Sequence, residues 1–153
     1  MKQFIDDIIT RISDYFKSDS DIAKAEKVDY ANKQGDTINP PHITVQQIDD
    51  SDAEEYDTFE GECISYVPIQ LTIYAQQMKI GSVVKSAQES AFIMADKVIK
   101  LFDKVETVKW NSNIVRLRRV GGVFAMPTEQ GATTYMSPVR YEFYVLHNYQ
   151  KIS

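Results

Sequence analysis

The sequence predicts an α+β fold. The expected architecture is an antiparallel or mixed β-sheet of about four strands, with an N-terminal helix and a central helix packed on one face. Three observations predict it. Two segments carry apolar residues at spacings of three and four. Several others alternate apolar and polar residues between turn-forming residues. The strand-like segments come in pairs on either side of the central helix, an order suited to antiparallel neighbours with helices on one side.

The first helix spans Lys2 to Lys17. Phe4, Ile5, Ile8, Ile9, Ile12, Tyr15 and Phe16 form one stripe, with Asp6, Asp7, Arg11 and Asp14 largely off it. Residues 18–41 turn polar and end at the Pro40-Pro41 breaker, so they read as a connecting arm with one short strand near Val28. His42 to Ile48 alternates as a strand, Ile43, Val45 and Gln47 against Thr44, Gln46 and Ile48. A longer strand runs from about Cys63 to Gln77, with Val67, Ile69, Leu71, Ile73 and Ala75 on its buried side. Pro68 cannot donate to a ladder, which predicts an edge position or a bulge.

Gly81 punctuates the chain before the central helix. Ser86 followed by Glu89 is a capping-box pattern, so the helix starts near Ser86. Its stripe is Ala87, Ala91, Met94, Ala95, Val98, Ile99 and Phe102. Asn113 to Val120 is the next strand, extendable to Met126 across a bulge or kink at Gly121-Gly122. A turn at Pro127 to Gly131 leads to the last strand, Pro138 to Tyr149, with Val139, Tyr141, Phe143 and Val145 on one side.

The chain of 153 residues fits one domain, 1–153, with no internal repeat. Cys63 is the single cysteine, which rules out an internal disulfide and suits a reducing cytoplasm. No stretch approaches the roughly 20 apolar residues of a membrane span, and Asp6 and Asp7 interrupt any signal-peptide core. The net charge of −5 is unevenly spread. Residues 49–62 hold eight acids and no base, leaving 14 acids against 17 bases elsewhere. One acidic loop thus sits on a mildly basic remainder.

Catalysis needs convergent groups, and few are offered. His42 and His147 stand far apart in sequence, each fitting a structural role better than a metal ligand. Cys63 reads as a small buried residue. Neither a Gly-rich phosphate loop nor a dinucleotide turn is present. Asp50, Asp52 and Glu54 have the alternate spacing of a calcium loop, but Glu55 replaces the glycine that allows its sharp turn. No catalytic, cofactor-binding or metal-binding residue is assigned. Arg116, Arg118 and Arg119 cluster on one strand, downstream of Lys97, Lys100, Lys104 and Lys109. Net acidity and the lack of a recognition helix argue against nucleic acid as their main target. An acidic protein surface is the more economical complement. If the acidic loop of one copy met the arginine strand of the next, the contact would be head-to-tail and could close a ring. The expected interface residues are Asp52, Glu54, Glu55, Asp57, Arg116, Arg118, Arg119 and Tyr135, the last chosen among nine tyrosines suited to contact surfaces.

The N-terminal helix, PPHITVQQIDD, YVPIQLTIYAQ, SAQESAFIMADKVIKLF and SPVRYEFYVLHNY together resemble tail-terminator or neck proteins of long-tailed bacteriophages. The likeness lies in element order and texture, best from Pro40 to Tyr149. It implies a virion protein, assembled in the host cytoplasm, in which six copies ring the head-proximal end of the tail tube. One ring face would stop growth of the tube protein, and the other would dock the head-completion, or stopper, protein. Genomic DNA would cross the lumen without sequence readout, with some loop acids facing it. Three other expectations compete: another head-tail connector subunit, a small metal-dependent enzyme built on the acidic loop, and a ligand-binding α+β domain.

Overall fold

A computed structural model describes residues 2–19, 22, 28–30, 40–48, 55–57, 62–103, 114–129 and 133–148. Two 17-residue helices, α1 (Lys2–Ser18) and α2 (Ala87–Asp103), accompany a mixed sheet. Its strands are β1 (Val28–Tyr30), β2 (His42–Gln47), β3 (Glu55–Asp57), β4 (Glu62–Ala75), β7 (Ile114–Val120), β8 (Met126–Pro127) and β9 (Tyr135–Asn148). The order across it is β1-β2-β4-β9-β7, with β3 also on β4 and β8 also on β9. Only β1 on β2 is parallel. A separate hairpin joins β5 (Met78–Ile80) to β6 (Val83–Lys85). The α+β architecture is therefore the one expected, with the four main strands and the short strand at Val28 where the pattern put them.

Alternation builds the core. Val67, Ile69, Leu71 and Ile73 of β4 and Val139, Tyr141 and Phe143 of β9 are buried on one sheet face. Both helices cover that face: Phe4 of α1 and Phe102 of α2 each meet the Phe143 ring, at 4.9 and 6.3 Å between centroids. Ile8, Ile12 and Phe16 complete the buried stripe of α1, and Met94, Ala95 and Val98 that of α2. Fully burying side chains of this size contributes about 1.5–3 kcal/mol each. The caps fit the sequence too. Ser86 Oγ accepts the Glu89 N–H at 3.2 Å, so α2 begins one residue after its predicted cap. Two helix residues depart from the expected stripes: Asp7 is buried, close to Arg11 at 3.7 Å, and Ser90 is fully buried.

Pro68 lies on neither an edge nor a bulge. It is inside β4, between β9 and the strands opposite. The β2 ladder ends with Gln47 against Ile69, and the β3 ladder begins with Glu55 against Ser65. Ile48 donates its N–H to the Pro68 carbonyl at 3.0 Å. In an extended strand a residue's N and O point to the same neighbour, so Pro68's missing N–H falls at the junction of the two ladders and forgoes only the return bond to Ile48, at the end of the β2 ladder. The register also recasts the acidic segment. Only three positions of β4, 66–68, separate the two ladders, whereas seven residues, 48–54, connect Gln47 to Glu55. The segment expected as a loop thus contains a strand, β3, which pairs with the same edge of β4 as β2 does. Residues 49–54 and 58–61 themselves lie outside the described residues, as does most of the polar arm.

β7 does not run on to Met126. Gly121 adopts φ 81°, a conformation glycine tolerates. Residues 121–125 then stand opposite 137–139 before β8 resumes pairing. That excursion is the irregularity the Gly121-Gly122 pair predicted. Ser137 Oγ donates to the Phe124 carbonyl at 2.7 Å and holds it against the sheet. The last strand starts at Tyr135, three residues before the expected Pro138. The β5–β6 hairpin escaped prediction; its two-residue turn has Gly81 at φ 64°. Among the described residues, no helix is long and apolar enough to cross a membrane.

Candidate assembly surface

The groups that could carry chemistry are dispersed. His42 is buried at the start of β2, opposite Tyr74. His147 is at the far end of β9, where the register sets it opposite Cys63. Among the described residues, no three His, Cys, Asp or Glu residues are grouped to hold a metal ion. Asp50, Asp52 and Glu54 lie outside them.

The organised polar groups lie on the sheet face turned away from both helices. Cross-strand partners share a face, so the register puts Arg116 with Tyr144, Arg118 with Glu142 and Val120 with Arg140 on that side. From β4 come Tyr66, opposite Tyr144, and Gln70, opposite Arg140. Arg118 Nη2 stands 3.0 Å from Glu142 Oε2. Tyr66 donates its hydroxyl proton to the same carboxylate. Burial, this hydrogen bond and the Glu142 charge push the Tyr66 hydroxyl pKa up, with Arg118 opposing. The Tyr66 and Tyr144 rings lie 5.4 Å apart, and the Arg116 guanidinium sits 5.7 Å from the Tyr144 centroid. Arg140 Nε donates to Gln70 Oε1 at 3.0 Å, and Gln70 Nε2 donates to Thr72 Oγ1 at 3.1 Å. Ile48 and Val120, both exposed, flank a depression of about 280 Å³ between these groups. Among the described residues, three arginines and one glutamate leave this patch basic, with two tyrosines in tilted contact at its centre.

The basic residues expected at the interface, and Tyr135, are spread over both sheet faces and both ends of β9. Arg116 and Arg118 share the open face, but Arg119 alternates to the helix side, its Nε 3.7 Å from Asp103 of α2. Tyr135 is half-buried at the opposite end of β9, lining a second cleft with Gln76, Gln77, Ser86, Ala87 and Thr133. Tyr144 lies nine positions beyond Tyr135, roughly 30 Å along a strand. Glu55 and Asp57 belong to β3, beside Ser65 and Cys63. Asp52 and Glu54 lie outside the described residues. Sequence reading missed Tyr66, Gln70, Arg140 and Glu142. Period-two alternation was the available signal for their shared face, and the register supplied their partners.

No protein-family model and no curated protein matches this sequence. Among solved structures, the chain is similar to one from the virion of a native gene transfer agent particle. The two share 10% identity at a TM-score of 0.53, over 96% of this chain and 100% of that one. At such identity the likeness is one of fold, extending from end to end of both chains.

Proposed function

We propose that the protein is a non-enzymatic structural component of a phage-like virion. It acts as the tail terminator, a ring of copies capping the head-proximal end of the tail tube. The carrying observation is the end-to-end similarity of fold to a chain of a gene transfer agent virion. The order of elements and their resemblance to neck proteins agree with it. So does the division of charge between an acidic segment and a basic strand, which suits head-to-tail contact between copies.

In this role the ring ends tube growth on one side and receives the head-completion protein on the other. DNA passes through its lumen without sequence readout. Opposite charges set register and partner choice more than they add affinity. The deciding experiment is electron microscopy of particles assembled without this protein. Tails of uncontrolled length are expected. Tails of normal length that fail to join heads would instead identify a stopper or other connector subunit, and normal particles would overturn both readings.

A further inference from the structure

The sheet face turned away from the helices carries a patch of unbalanced charge. Among the described residues, Arg116, Arg118 and Arg140 stand there against one acid, Glu142. The Arg118 side chain is 56% exposed even while it meets Glu142. A guanidinium has five N–H donors, and the contacts to Glu142 and Gln70 engage one nitrogen each, so the rest of each fork can take further carboxylate oxygens. Between the arginines the floor is apolar. Ile48, Tyr66, Pro68 and Val120 line the depression, and the Tyr144 ring lies beside Tyr66. The occupant that fits is rich in carboxylates and carries aromatic side chains. Phosphates fit less well, because Glu142 lies inside the patch and the chain's net charge is −5.

The chain itself contains such a segment. Residues 49–62 hold eight acids and no base, with Tyr56 and Phe59 among them. Within one copy, the described acids of this segment are set away from the patch. Register places Glu55 and Asp57 on the helix-side face, opposite Ser65 and Cys63. Glu62 shares the open face but lies four positions from Tyr66, roughly 13 Å along β4. β3 and β7 are three strand spacings apart, about 14 Å. A second copy is the source that can bring these acids to the arginines. Two open faces brought together by a two-fold axis would set arginine against arginine, which like-charge repulsion disfavours. The contact therefore joins unlike sides of two copies and is head-to-tail.

We propose that the open sheet face of one copy is the docking surface for the acidic segment, residues 49–62, of the next. Arg116, Arg118 and Arg140 take its carboxylates, and the floor between Tyr66 and Val120 takes its aromatic residues. This rests on the self-assembling reading above, and names the surface on which copies meet.

The test uses a fluorescent synthetic peptide of residues 49–62 and the full-length chain. Fluorescence anisotropy, at concentrations where the chain is dissociated, should show the peptide binding the wild type. Excess unlabelled peptide should weaken self-association read by light scattering. Arg116→Gln combined with Arg140→Gln should weaken peptide binding at least tenfold, two charge contacts being lost. Arg119→Gln removes a charge from the same strand on the helix side, and should leave binding within about twofold. Val120→Glu alters no arginine and should also weaken binding, which guards against misfolding of the double variant. A peptide with amides in place of its eight acids should not bind. Equal binding by every variant, or none by the wild type, overturns the docking surface. Self-association that persists in the double variant then leaves self-assembly standing, whereas a wild-type chain that neither binds peptide nor self-associates overturns both. Peptide binding that appears only when the chain's own acids are replaced by amides makes its own segment the occupant. A DNA duplex that displaces the peptide more effectively than unlabelled peptide does makes nucleic acid the occupant. Either result overturns docking of a second copy.

Discussion

Tyr141 donates its hydroxyl proton to Asp103 Oδ1 across 3.1 Å, fastening the last residue of α2 to the middle of β9. The Tyr141 ring is buried against Phe102, 5.3 Å between centroids, and Arg119 of β7 approaches the same carboxylate. Burial raises the phenol's pKa well above 10.0, and the Asp103 charge and hydrogen bond add to it. Tyr141→Phe keeps the packing and removes the bond. It should cost about 1 kcal/mol in urea unfolding at neutral pH, a modest value because Asp103 stays solvated. The pH dependence follows in sign. Below pH 10 both states hold the proton; above it the unfolded chain releases its proton first, so wild-type stability falls as pH rises. The variant should lose less between neutral pH and about pH 11, so that the gap between the two proteins narrows.

Asp19, the residue after α1, ties the end of that helix to α2. Its Oδ1 accepts the Ile22 N–H at 3.1 Å, and its Oδ2 accepts Lys97 Nζ of α2 at 2.8 Å. The carboxylate side chain is 9% exposed and the lysine 21%, so the pair is shielded from solvent far more than an ordinary surface ion pair. Asp19→Ala removes both acceptors and leaves Lys97 without this partner. The expected cost is about 2 kcal/mol, with Asp19→Asn near half of that because its amide oxygen still serves Ile22. Midpoints of denaturant unfolding at constant slope would measure both.

The fold was legible wherever burial imposed a period. Phe4, Ile8, Ile12 and Phe16 marked α1, and Val67 to Ile73 marked β4, because one face of each meets the core. Ser86 announced α2 through a local hydrogen bond needing no partner element. What stayed hidden depends on neighbours. Pro68 reads as an edge residue until the ends of β2 and β3 are known. β3 lies within an acidic run with no apolar alternation, and Val83 and Val84 of the β5–β6 hairpin are exposed, so no core face patterns them. The arginine strand was half legible. Alternation alone separates Arg119 from Arg116 and Arg118, but Glu142 as the partner of Arg118 depends on a register set by the whole sheet.

Metal binding by the acidic segment can be judged by the size of the expected effect. A folded-state site with a Kd of about 10 µM would stabilise the chain by about 2.7 kcal/mol in 1 mM ion. For a domain of 153 residues that corresponds to a rise in Tm of roughly 5–10 °C. Glu55 stands where a calcium loop needs its glycine, and the acids follow one another along one segment instead of converging from rigid elements. Calcium, magnesium or manganese at 1 mM should therefore shift Tm by less than about 2 °C, a bound well inside that range. A larger, saturable rise with one of the three would revive the metal-dependent reading.

Reversing Glu54, Glu55 and Asp57 to lysine tests the acidic segment as an assembly element. The substitutions turn three negative charges positive in a segment that otherwise holds no base. The fold should survive, since the buried stripes of α1, β4, α2 and β9 are untouched. Association should weaken at least tenfold, because the segment would then repel Arg116 and Arg118 of a neighbouring copy. Salt separates this cause from a local distortion. The screening length falls from about 10 Å at 0.1 M to about 3 Å at 1 M, so wild-type association should weaken with salt while the triple variant partly recovers. Far-ultraviolet circular dichroism would check the fold, and sedimentation at two salt concentrations would read the association. Unchanged association of the folded triple variant at low salt would remove the acids from the contact between copies.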